Sequence, residues 1–383
     1  METNGQMDFR AILSRLFSLT EDEADRCIAS AGEEMTGETG FLSYRRRLKV
    51  KKGDSTINVF LKFSDTTRQD SGELKELMDC FCPRECLFYG TFAPLLERTA
   101  SQLGLGSIGL PTVHLEMVLP TGTLIVMEDL GEAGFELAPA TMNVAEARCV
   151  LSSLARVQAA FWLTKARLGS PASGLFGPQS PLSDGFFALS ATKKSMDELL
   201  PAGFELFRRE FAKYMTCDKR IAIINGYLDR DYLKKAQQVI KSGQEEREVV
   251  GITHSDLWYN NCMLSRDASG QPVECRLIDW QVFGIGRLTF DLGPFWISSI
   301  DNAIAVEQYL PCVELYDETI RSLYKTGLQQ EFPVSKETIR QQAVQSLNWG
   351  ITWLVTFAEM IPVLRRIDNV LNNVADLIEH FGL

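Results

Sequence analysis

Several features that mark other classes of protein are scarce or absent in this sequence of 383 residues. It has only three histidines, and its nine cysteines form no CxxC pair, so it offers no convincing zinc site. An odd number of cysteines without paired spacing favours reduced thiols, as in a cytosolic protein. No basic segment followed by an apolar core stands at the start, which argues against a secretory signal. We therefore expect a cytoplasmic protein.

Long apolar runs and an excess of positive charge are also missing. The most apolar tract, 349–364, contains Glu359 and is too short to span a bilayer, so we expect no membrane span. The net charge is −11, from 39 Lys and Arg against 50 Asp and Glu, and this disfavours nucleic acid as a partner. Hydrophobic residues at 45% and charged residues at 23% are typical of a globular chain, and this length favours two lobes.

Strand patterns dominate the first third of the chain. The segment STINVFLKF, which ends at Phe63, pairs in our prediction with the preceding segment through the polar turn KKGDS, forming a hairpin. Gly37 and Gly40 stand before the first strand, where they could bring backbone N–H groups close to phosphates or could simply form a turn. A helical pattern covers 73–99, with a break expected at Pro83. Two further strands are predicted at 112–119 and 123–127.

The rest of the chain is mainly helical. One long helix is predicted over 143–166, and more follow near 291–326, 335–360 and 362–381. The stretch 169–187 is the richest in Gly, Pro and Ser, and is predicted to be a loop. These patterns predict an α+β fold with two lobes. The N-terminal lobe, residues 1–130, contains an antiparallel sheet plus a helix, and the larger C-terminal lobe, residues 131–383, is mainly helical.

The residues with the clearest chemistry lie in ITHSDLWYNNCM, which begins at Ile252, and in CRLIDWQ, which begins at Cys275. Phosphoryl transfer needs a carboxylate beside the attacking hydroxyl and oxygen ligands that hold Mg²⁺ against the nucleotide phosphates. Asp256 suits the first role, and Asn261 and Asp279 suit the second. The alternative is that Asp256 and Asn261 are a capping residue and a turn residue. For Asp279, at the end of a buried-strand pattern, the alternative is a carboxylate that caps the next turn.

Lys62 and Glu85 form a second candidate pair. Strand alternation places Lys62 on the same face as Asn58 and Phe60. A lysine so placed usually extends its ammonium group to solvent. The functional alternative is that Lys62 contacts nucleotide phosphates and is held by Glu85 on the following helix. The chain order of lysine, glutamate, catalytic aspartate, asparagine and final aspartate favours this alternative.

Taken together, these motifs resemble those of the ecdysteroid kinase-like family of small-molecule kinases, which are related to choline kinases and aminoglycoside phosphotransferases. HSDLWYNNCM is similar to the family pattern HxDxWxxNxM, and LIDWQ is similar to its IDFQ metal motif. Further matches are RECLFYGTFAPLLE, MEDLGEAGF and DLGPFW.

The resemblance implies a protein-kinase-like fold that uses ATP and Mg²⁺ to phosphorylate a small-molecule alcohol, such as a steroid-like alcohol, an amino alcohol or a xenobiotic. It makes Asp256 the catalytic carboxylate, Asn261 and Asp279 the magnesium ligands, and Lys62 the phosphate contact held by Glu85. It also implies that the backbone of Met127, Glu128, Asp129 and Leu130 holds the adenine edge, and that His254 is structural.

Some positions depart from the family pattern, and two rival functions remain open. Gln158 stands where relatives commonly have histidine, which puts local packing or the acceptor site in doubt, and Trp280 replaces the usual Phe. The acceptor is expected near the 169–187 loop and near Trp349 and Trp353, which could instead be core residues. One rival is a non-catalytic binding protein on a kinase-like fold. The other is a protein kinase, against which stands the lack of HRD, DFG and APE segments.

Overall fold

A computed structural model describes residues 2–3, 6–7, 9–29, 43–52, 54–65, 73–169, 203–211, 213–229, 249–356 and 366–383. The chain divides into two compact units. The first comprises Met1–Pro94 and Leu110–Glu136, and the second comprises Leu95–Gly109 and Leu137–Leu383. The α+β class predicted from the sequence is confirmed. The predicted lobe boundary after residue 130 stays a prediction.

The first unit is built on a four-stranded antiparallel sheet in the order β3-β4-β6-β5. The strands of this unit are β1 Glu2–Thr3, β2 Gln6–Met7, β3 Tyr44–Lys52, β4 Ser55–Asp65, β5 Val113–Leu119 and β6 Gly122–Glu128. Strands β3 and β4 pair from Tyr44 opposite Phe63 to Lys52 opposite Ser55, which confirms the predicted hairpin. Strand β4 then pairs with β6, so Lys62 lies on a central strand opposite Ile125.

One face of this sheet is covered by the helices Phe9–Phe17 and Glu21–Ala29. The strand residues of this core alternate along the chain, as a sheet with one packed face requires: Leu48, Val50, Val59, Leu61, Leu124 and Val126. Because side chains on a strand point to opposite faces in turn, Lys62 lies on the other face from Leu61. The core on one face thus fixes the register that presents Lys62 on the other.

The helix Glu73–Leu87 continues through Pro83 and is followed by a π-helical turn, Phe88–Phe92. The break expected at Pro83 was therefore wrong. Proline has no N–H group, so this helix lacks the hydrogen bond to the carbonyl four residues earlier, that of the exposed Asp79, and continues without it. Glu85 consequently lies in a continuous helical turn rather than at a new helix start.

The second unit is mainly helical. Its longest helices lie beside each other, since Val144–Leu168 packs against Asn302–Leu328. Asn143 begins the former with a capping box, in which its side chain accepts from the Glu146 N–H and the Glu146 carboxylate accepts from the Asn143 N–H. The other helical segments described are 203–211, Asp218–Leu228, Leu292–Ser299, Lys336–Thr356 and Ile367–Phe381, with Ala93–Gln102 at the boundary of the units.

Short antiparallel strand pairs hold the polar motifs of the second unit. Strand β8, Val250–Thr253, pairs with β11, Gly284–Arg287, and β9, Cys262–Arg266, pairs with β10, Pro272–Leu277. A short strand β7, Phe135–Leu137, precedes them in the chain. Single 3₁₀ turns, Tyr259–Asn261 and Trp280–Val282, lie beside the ends of these strands. Over the described part of the chain, no helix has both the length and the apolar character needed to cross a membrane.

Candidate functional site

Strand β8 leads directly into the segment that carries Asp256. Its four residues are all buried, and His254 and Ser255 after it are buried as well. Ser255 adopts a left-handed conformation with φ 66°, which is uncommon for a residue with a side chain. Its hydroxyl lies 2.8 Å from the Thr253 hydroxyl. The chain therefore turns sharply here and leaves Asp256 half-buried at the surface of the unit.

The turn before Asp256 is held by a buried carboxylate. Both oxygens of Asp291 accept backbone hydrogen bonds, from His254 N at 2.8 Å and from Ser255 N at 2.7 Å. Asp291 is 2% exposed, and burial raises the pKa of its carboxyl group to about 7, against the opposing effect of these two donors. A carboxylate with two N–H donors fixes both peptide groups, so Asp291 sets the direction in which Asp256 leaves the strand.

Asn261 contacts Asp256 twice. Its side-chain amide donates to the Asp256 carbonyl at 2.7 Å and to the Asp256 carboxylate at 3.1 Å. The Asn261 backbone carbonyl accepts from Ile278 N at 3.0 Å, which ties it to the chain just before Asp279. Because the amide nitrogen is used as a donor, the oxygen of the same amide is the atom through which Asn261 could bind a cation.

Asp279 also adopts a left-handed conformation, with φ 65° and ψ 56°. Asp and Asn tolerate this region better than other residues with a side chain. The 3₁₀ turn that follows begins with Trp280, which is buried. Asp279 is half-buried. The structure therefore does not support the alternative in which the Asp279 carboxylate caps the next turn, since its side chain makes no capping hydrogen bond to that turn.

The carboxylates of Asp256 and Asp279 lie close enough to affect each other. The pKa of Asp256 is raised to about 8, first by burial and then by the negative charge of Asp279, while the hydrogen bond from Asn261 opposes the rise. The charge of Asp291 adds to the rise, and a hydrogen bond from the Trp353 side chain opposes it. A carboxyl group whose ionisation is opposed by a neighbouring carboxylate marks a site suited to a cation.

His254 links the segments that carry Asp256 and Asp279. It is fully buried, and its Nε2 lies 2.8 Å from the carbonyl of Ile278, the residue before Asp279. Its ring lies 4.6 Å from the Trp280 ring, centroid to centroid. A histidine that links the two motif segments in the core matches a structural position rather than one that touches a substrate.

Gln158, on the helix Val144–Leu168, is fully buried against strand β8. Its amide nitrogen donates to Ile252 O at 2.5 Å, and its amide oxygen accepts from Ile252 N at 3.2 Å. Gly251 makes this approach possible, since a Cβ there would lie 2.2 Å from the Gln158 amide oxygen. The residue that departs from the family pattern therefore pairs with the backbone that leads to Asp256.

In the first unit, the structure brings Lys62 and Glu85 together. Lys62 Nζ lies 2.8 Å from Glu85 Oε2, and the two residues are 6% and 2% exposed. The Lys62 ammonium group therefore does not extend to solvent, which was the alternative. Burying a charge is costly unless it is paired, so the ion pair is what allows both charges to lie in the core.

The segment Met127–Leu130 is tied into the sheet of the same unit. The Glu128 N–H donates to Thr112 O at 2.9 Å, and the Asp129 N–H donates to Asn58 O at 3.1 Å. The Asp129 carboxylate accepts from Gly131 N at 3.0 Å and pairs with Arg47 at 3.2 Å. Two of the N–H groups expected at the adenine edge are thus used within the protein.

The structure leaves part of the predicted site undescribed. Gly37 and Gly40 lie outside the described residues, as does the predicted loop beyond Gly169. Trp349 is buried and stacks on Phe290 with ring centroids 4.9 Å apart, which is a core position. Trp353 is also buried, and its ring lies 6.2 Å from the ring of Trp258, centroid to centroid.

Sequence reasoning missed the role of Asp291. Asp291 stands in DLGPFW between apolar residues, so the argument that a buried carboxylate needs partners, which singled out Asp279, applies equally to it.

A family model described as the ecdysteroid kinase-like family matches residues 39–327. No curated protein matches the chain in sequence. Among solved structures, the chain is similar to an ethanolamine kinase from Plasmodium vivax, with 11% identity, a TM-score of 0.42, and coverage of 97% of this chain and 85% of that one. It is also similar to a microcompartment-associated aminopropanol kinase, with 12% identity, a TM-score of 0.38 and 98% coverage of each chain. An aminoglycoside phosphotransferase from Streptomyces rimosus, in complex with ADP and streptomycin, has 14% identity and a TM-score of 0.35, with coverage of 92% of this chain and 99% of that one.

Proposed function

Because the chain belongs to the ecdysteroid kinase-like family, we propose that it transfers the γ-phosphoryl group of ATP to a hydroxyl group of a small organic molecule. The observation that carries the proposal is the arrangement of Asp256, Asn261 and Asp279. Asn261 donates to the Asp256 carboxylate at 3.1 Å, and Asp279 lies near enough to raise the Asp256 pKa. A catalytic carboxylate beside a second carboxylate and an amide oxygen is the donor set that phosphoryl transfer uses.

This donor set fits Mg²⁺. The ligands would be the Asp279 carboxylate and the Asn261 amide oxygen, both hard oxygen donors, with nucleotide phosphates and water as the others. Among the described residues, no group of three or more His, Cys, Asp and Glu side chains forms a cage for a softer metal. Bound Mg²⁺ would neutralise phosphate charge in the transition state.

Asp256 would orient the acceptor hydroxyl and take its proton. A bond forms between the acceptor oxygen and the γ-phosphorus, the bond from that phosphorus to the bridging oxygen of ADP breaks, and the hydroxyl proton moves to the Asp256 carboxylate. Asp291 would keep Asp256 in place, since it fixes the backbone of the two residues before Asp256, and His254 would tie that segment to the chain just before Asp279. Most of the rate acceleration would come from positioning and charge stabilisation.

The first unit would contribute nucleotide binding. Lys62 would contact the phosphates, and Glu85 would hold its ammonium group through the 2.8 Å ion pair. Because the N–H groups of Glu128 and Asp129 are used within the sheet, we assign the adenine contact to other backbone groups of Met127–Leu130, with the Leu130 N–H as the donor.

The test is a screen for ATP-dependent phosphorylation of sterols, amino alcohols and glycosides, followed by mass spectrometry of the product. The wild-type protein should add one phosphoryl group to at least one alcohol class and should release an equal amount of ADP. Asp256→Asn should abolish product formation, since Asn cannot take the proton, while Mg·ATP still raises the melting temperature.

A matched control is Asp301→Asn. Asp301 accepts from Ala303 N at 3.0 Å at the start of a helix, where Asn caps equally well, so activity should stay at the wild-type level. If Asp256→Asn keeps the wild-type rate, the assignment of the base is wrong. If the wild-type protein binds a small molecule but neither binds nor uses Mg·ATP, the chain is a non-catalytic binding protein.

A further inference from the structure

The 3₁₀ turn Tyr259–Asn261, which carries the proposed magnesium ligand Asn261, begins without a local cap. The residue before it, Trp258, has an extended backbone and makes no capping hydrogen bond with its side chain. Tyr259 is 4% exposed, so its N–H group needs an acceptor within the protein. That acceptor is the hydroxyl oxygen of Ser299, at 2.9 Å, which comes from an element distant in sequence.

The hydroxyl proton of Ser299 is directed away from the turn. Ser298 donates its one hydroxyl proton to Pro294 O at 2.7 Å. The 2.9 Å contact between the hydroxyl oxygens of Ser298 and Ser299 is therefore made with the Ser299 proton. This leaves the lone pairs of the Ser299 oxygen for the Tyr259 N–H group. The fully buried Ser299 hydroxyl is thus used both as a donor and as an acceptor.

The helix Leu292–Ser299 holds the segment of Asp256 at two points. Asp291, directly before this helix, accepts from two backbone N–H groups ahead of Asp256. Ser299, the last residue of the helix, accepts from one N–H group after Asp256. The proposed base therefore lies on a segment that is fixed on both sides by the two ends of one helix.

The Ser299 end of this helix is itself held in place. The Ser299 carbonyl accepts from Met142 N at 2.7 Å. Asn373, from another helix, is fully buried and donates to Ile297 O at 3.1 Å and to Ile300 O at 2.8 Å. Carbonyls at the end of a helix have no partner within it, and here distant groups supply one. Ser299 is therefore a fixed acceptor for the turn.

The other end of the helix is fixed by a close backbone contact. A Cβ on Gly293 would lie 1.9 Å from Ser346 O, and a Cβ on Gly350 would lie 2.6 Å from the carbonyl carbon of Gly293. The helices Leu292–Ser299 and Lys336–Thr356 therefore touch through backbone atoms. Both ends of the element that holds the Asp256 segment are thus immobilised by packing.

We propose that Ser299 is a positioning residue, which fixes the turn of Asn261 and so keeps the Asn261 amide oxygen in one direction for binding Mg²⁺. This inference rests on the proposed function. The amide nitrogen of Asn261 is held by Asp256. With the backbone of the turn fixed as well, the amide oxygen is oriented from both sides. Groups that orient a metal ligand in this way contribute strongly to metal affinity.

The hydrogen bond is tested by hydrogen exchange of the free protein, resolved to single amides by mass spectrometry with electron-transfer fragmentation. In Ser299→Ala the Tyr259 amide should exchange about tenfold faster than in the wild type, because it loses its acceptor. The amides of His254 and Ser255, whose acceptor is Asp291, should keep their wild-type rates. A wild-type exchange rate at Tyr259 in folded Ser299→Ala would overturn the inference.

The positioning role is tested by the Mg²⁺ dependence of ADP binding, measured by isothermal titration calorimetry. Ser299→Ala should raise the Mg²⁺ concentration at half-maximal ADP binding about tenfold, because Asn261 is no longer held for the cation. ADP binding without Mg²⁺ should not change. A merely structural role for Ser299 would lower the melting temperature and leave this Mg²⁺ concentration unchanged, and that result would overturn the inference.

The matched control is Ser346→Ala. Ser346 is also a fully buried serine, and its hydroxyl donates within its own helix, to Ala343 O at 2.7 Å. The nearby Tyr309 hydroxyl keeps its own hydrogen bond to Ala343 O in this variant. Ser346→Ala should therefore keep the wild-type exchange rate at Tyr259 and the wild-type Mg²⁺ dependence. Changes as large as those in Ser299→Ala would overturn the specific role of Ser299.

The failure of this inference and that of the proposed function can be told apart. Mg²⁺-dependent ADP binding without phosphorylation of any alcohol would overturn the proposed function alone. Mg²⁺-dependent binding with the same Mg²⁺ requirement in Ser299→Ala would overturn the inference alone, and wild-type binding that ignores Mg²⁺ would overturn both. If Ser299→Ala does not fold, Ser299→Cys replaces it in both measurements, because cysteine has nearly the same shape and its sulfur is only a weak acceptor.

Discussion

The side-chain amide of Gln158 pairs with both backbone groups of Ile252, at 2.5 Å to the carbonyl and 3.2 Å from the N–H. On its other edge, Ile252 lies opposite Ile285 of strand β11. The Gln158 side chain therefore pairs with the backbone of β8 as a neighbouring strand would. Because β8 ends only a few residues before Asp256, a side chain outside the motif stabilises the position of the proposed base.

Gln158→Leu should lower the free energy of unfolding and slow the proposed phosphoryl transfer. Two buried backbone groups of Ile252 would lose their partner, which costs about 1–3 kcal/mol of the free energy of unfolding. We expect kcat to fall with little change in KM for ATP, and urea unfolding measures the stability. The control is Gln102→Leu, because Gln102 accepts from Arg167 in an exposed contact, and exposed contacts of this kind contribute at most about 1 kcal/mol. Equal losses in the two variants would contradict the role of Gln158.

Lys62→Met should destabilise the first unit, because it leaves the buried carboxylate of Glu85 without its ion-pair partner. Removing one partner of a buried pair costs about 3–5 kcal/mol, whereas replacing both with apolar residues is often neutral. The double variant Lys62→Met with Glu85→Leu should therefore regain most of the stability and should still fail to bind Mg·ATP. Calorimetry of both variants checks this, and restored Mg·ATP binding in the double variant would show that Lys62 is not the phosphate contact.

Asp279→Asn should raise the Mg²⁺ concentration needed for half-maximal activity by at least about tenfold, since the site loses a charged ligand. Asparagine is the right substitution because Asp279 has φ 65°, which Asn adopts readily and Ala does not. The control Asp267→Asn changes an exposed turn carboxylate that accepts from Ser269 N, and should leave the Mg²⁺ dependence unchanged. Identical Mg²⁺ titrations of wild type and Asp279→Asn would contradict the assignment.

The stabilising effect of Asp291 should depend on pH. Burial raises its pKa in the folded protein to about 7, above the ordinary value of 3.8. The folded state therefore binds a proton that the unfolded state has released, and this group's contribution to stability falls as the pH rises from about 4 to about 7. The Asp256 carboxylate and the Tyr316 hydroxyl are the titratable groups whose pKa Asp291 raises.

Urea unfolding of wild type and Asp291→Asn from pH 5 to pH 8.5 measures this effect. The stability advantage of the wild type over Asp291→Asn should shrink as the pH rises, because only the wild type carries the buried carboxyl group. An advantage that grows with pH would mean that the N–H donors of His254 and Ser255 outweigh the effect of burial.

Much of the architecture follows from local patterns in the sequence. The β3–β4 hairpin is predicted because apolar and polar residues alternate on both sides of a polar turn. The helix Val144–Leu168 is predicted over 143–166, since Asn143 is a strong capping residue and Gly169 ends the pattern. Pro83 misled the prediction, because a proline costs one helical hydrogen bond but the helix Glu73–Leu87 continues through it.

The candidate site was less accessible to sequence reasoning. Asp256, Asn261 and Asp279 stand in short motifs whose residue types match a reaction, so the amino-acid sequence alone is enough to propose them. Gln158 and Asp291 are brought to the motif by packing between elements distant in sequence. Their contacts depend on how helices cross strands and each other, which no local periodicity encodes.

The backbone contact between Gly293 and Gly350 limits how the second unit can change. With no side chain between them, the two helices cannot move closer, and any larger residue at either position would push them apart. New properties in this part of the second unit must therefore come from exchanging side chains while the spacing of the two helices is kept. Libraries built to alter the acceptor under the proposed function should therefore leave both glycines untouched.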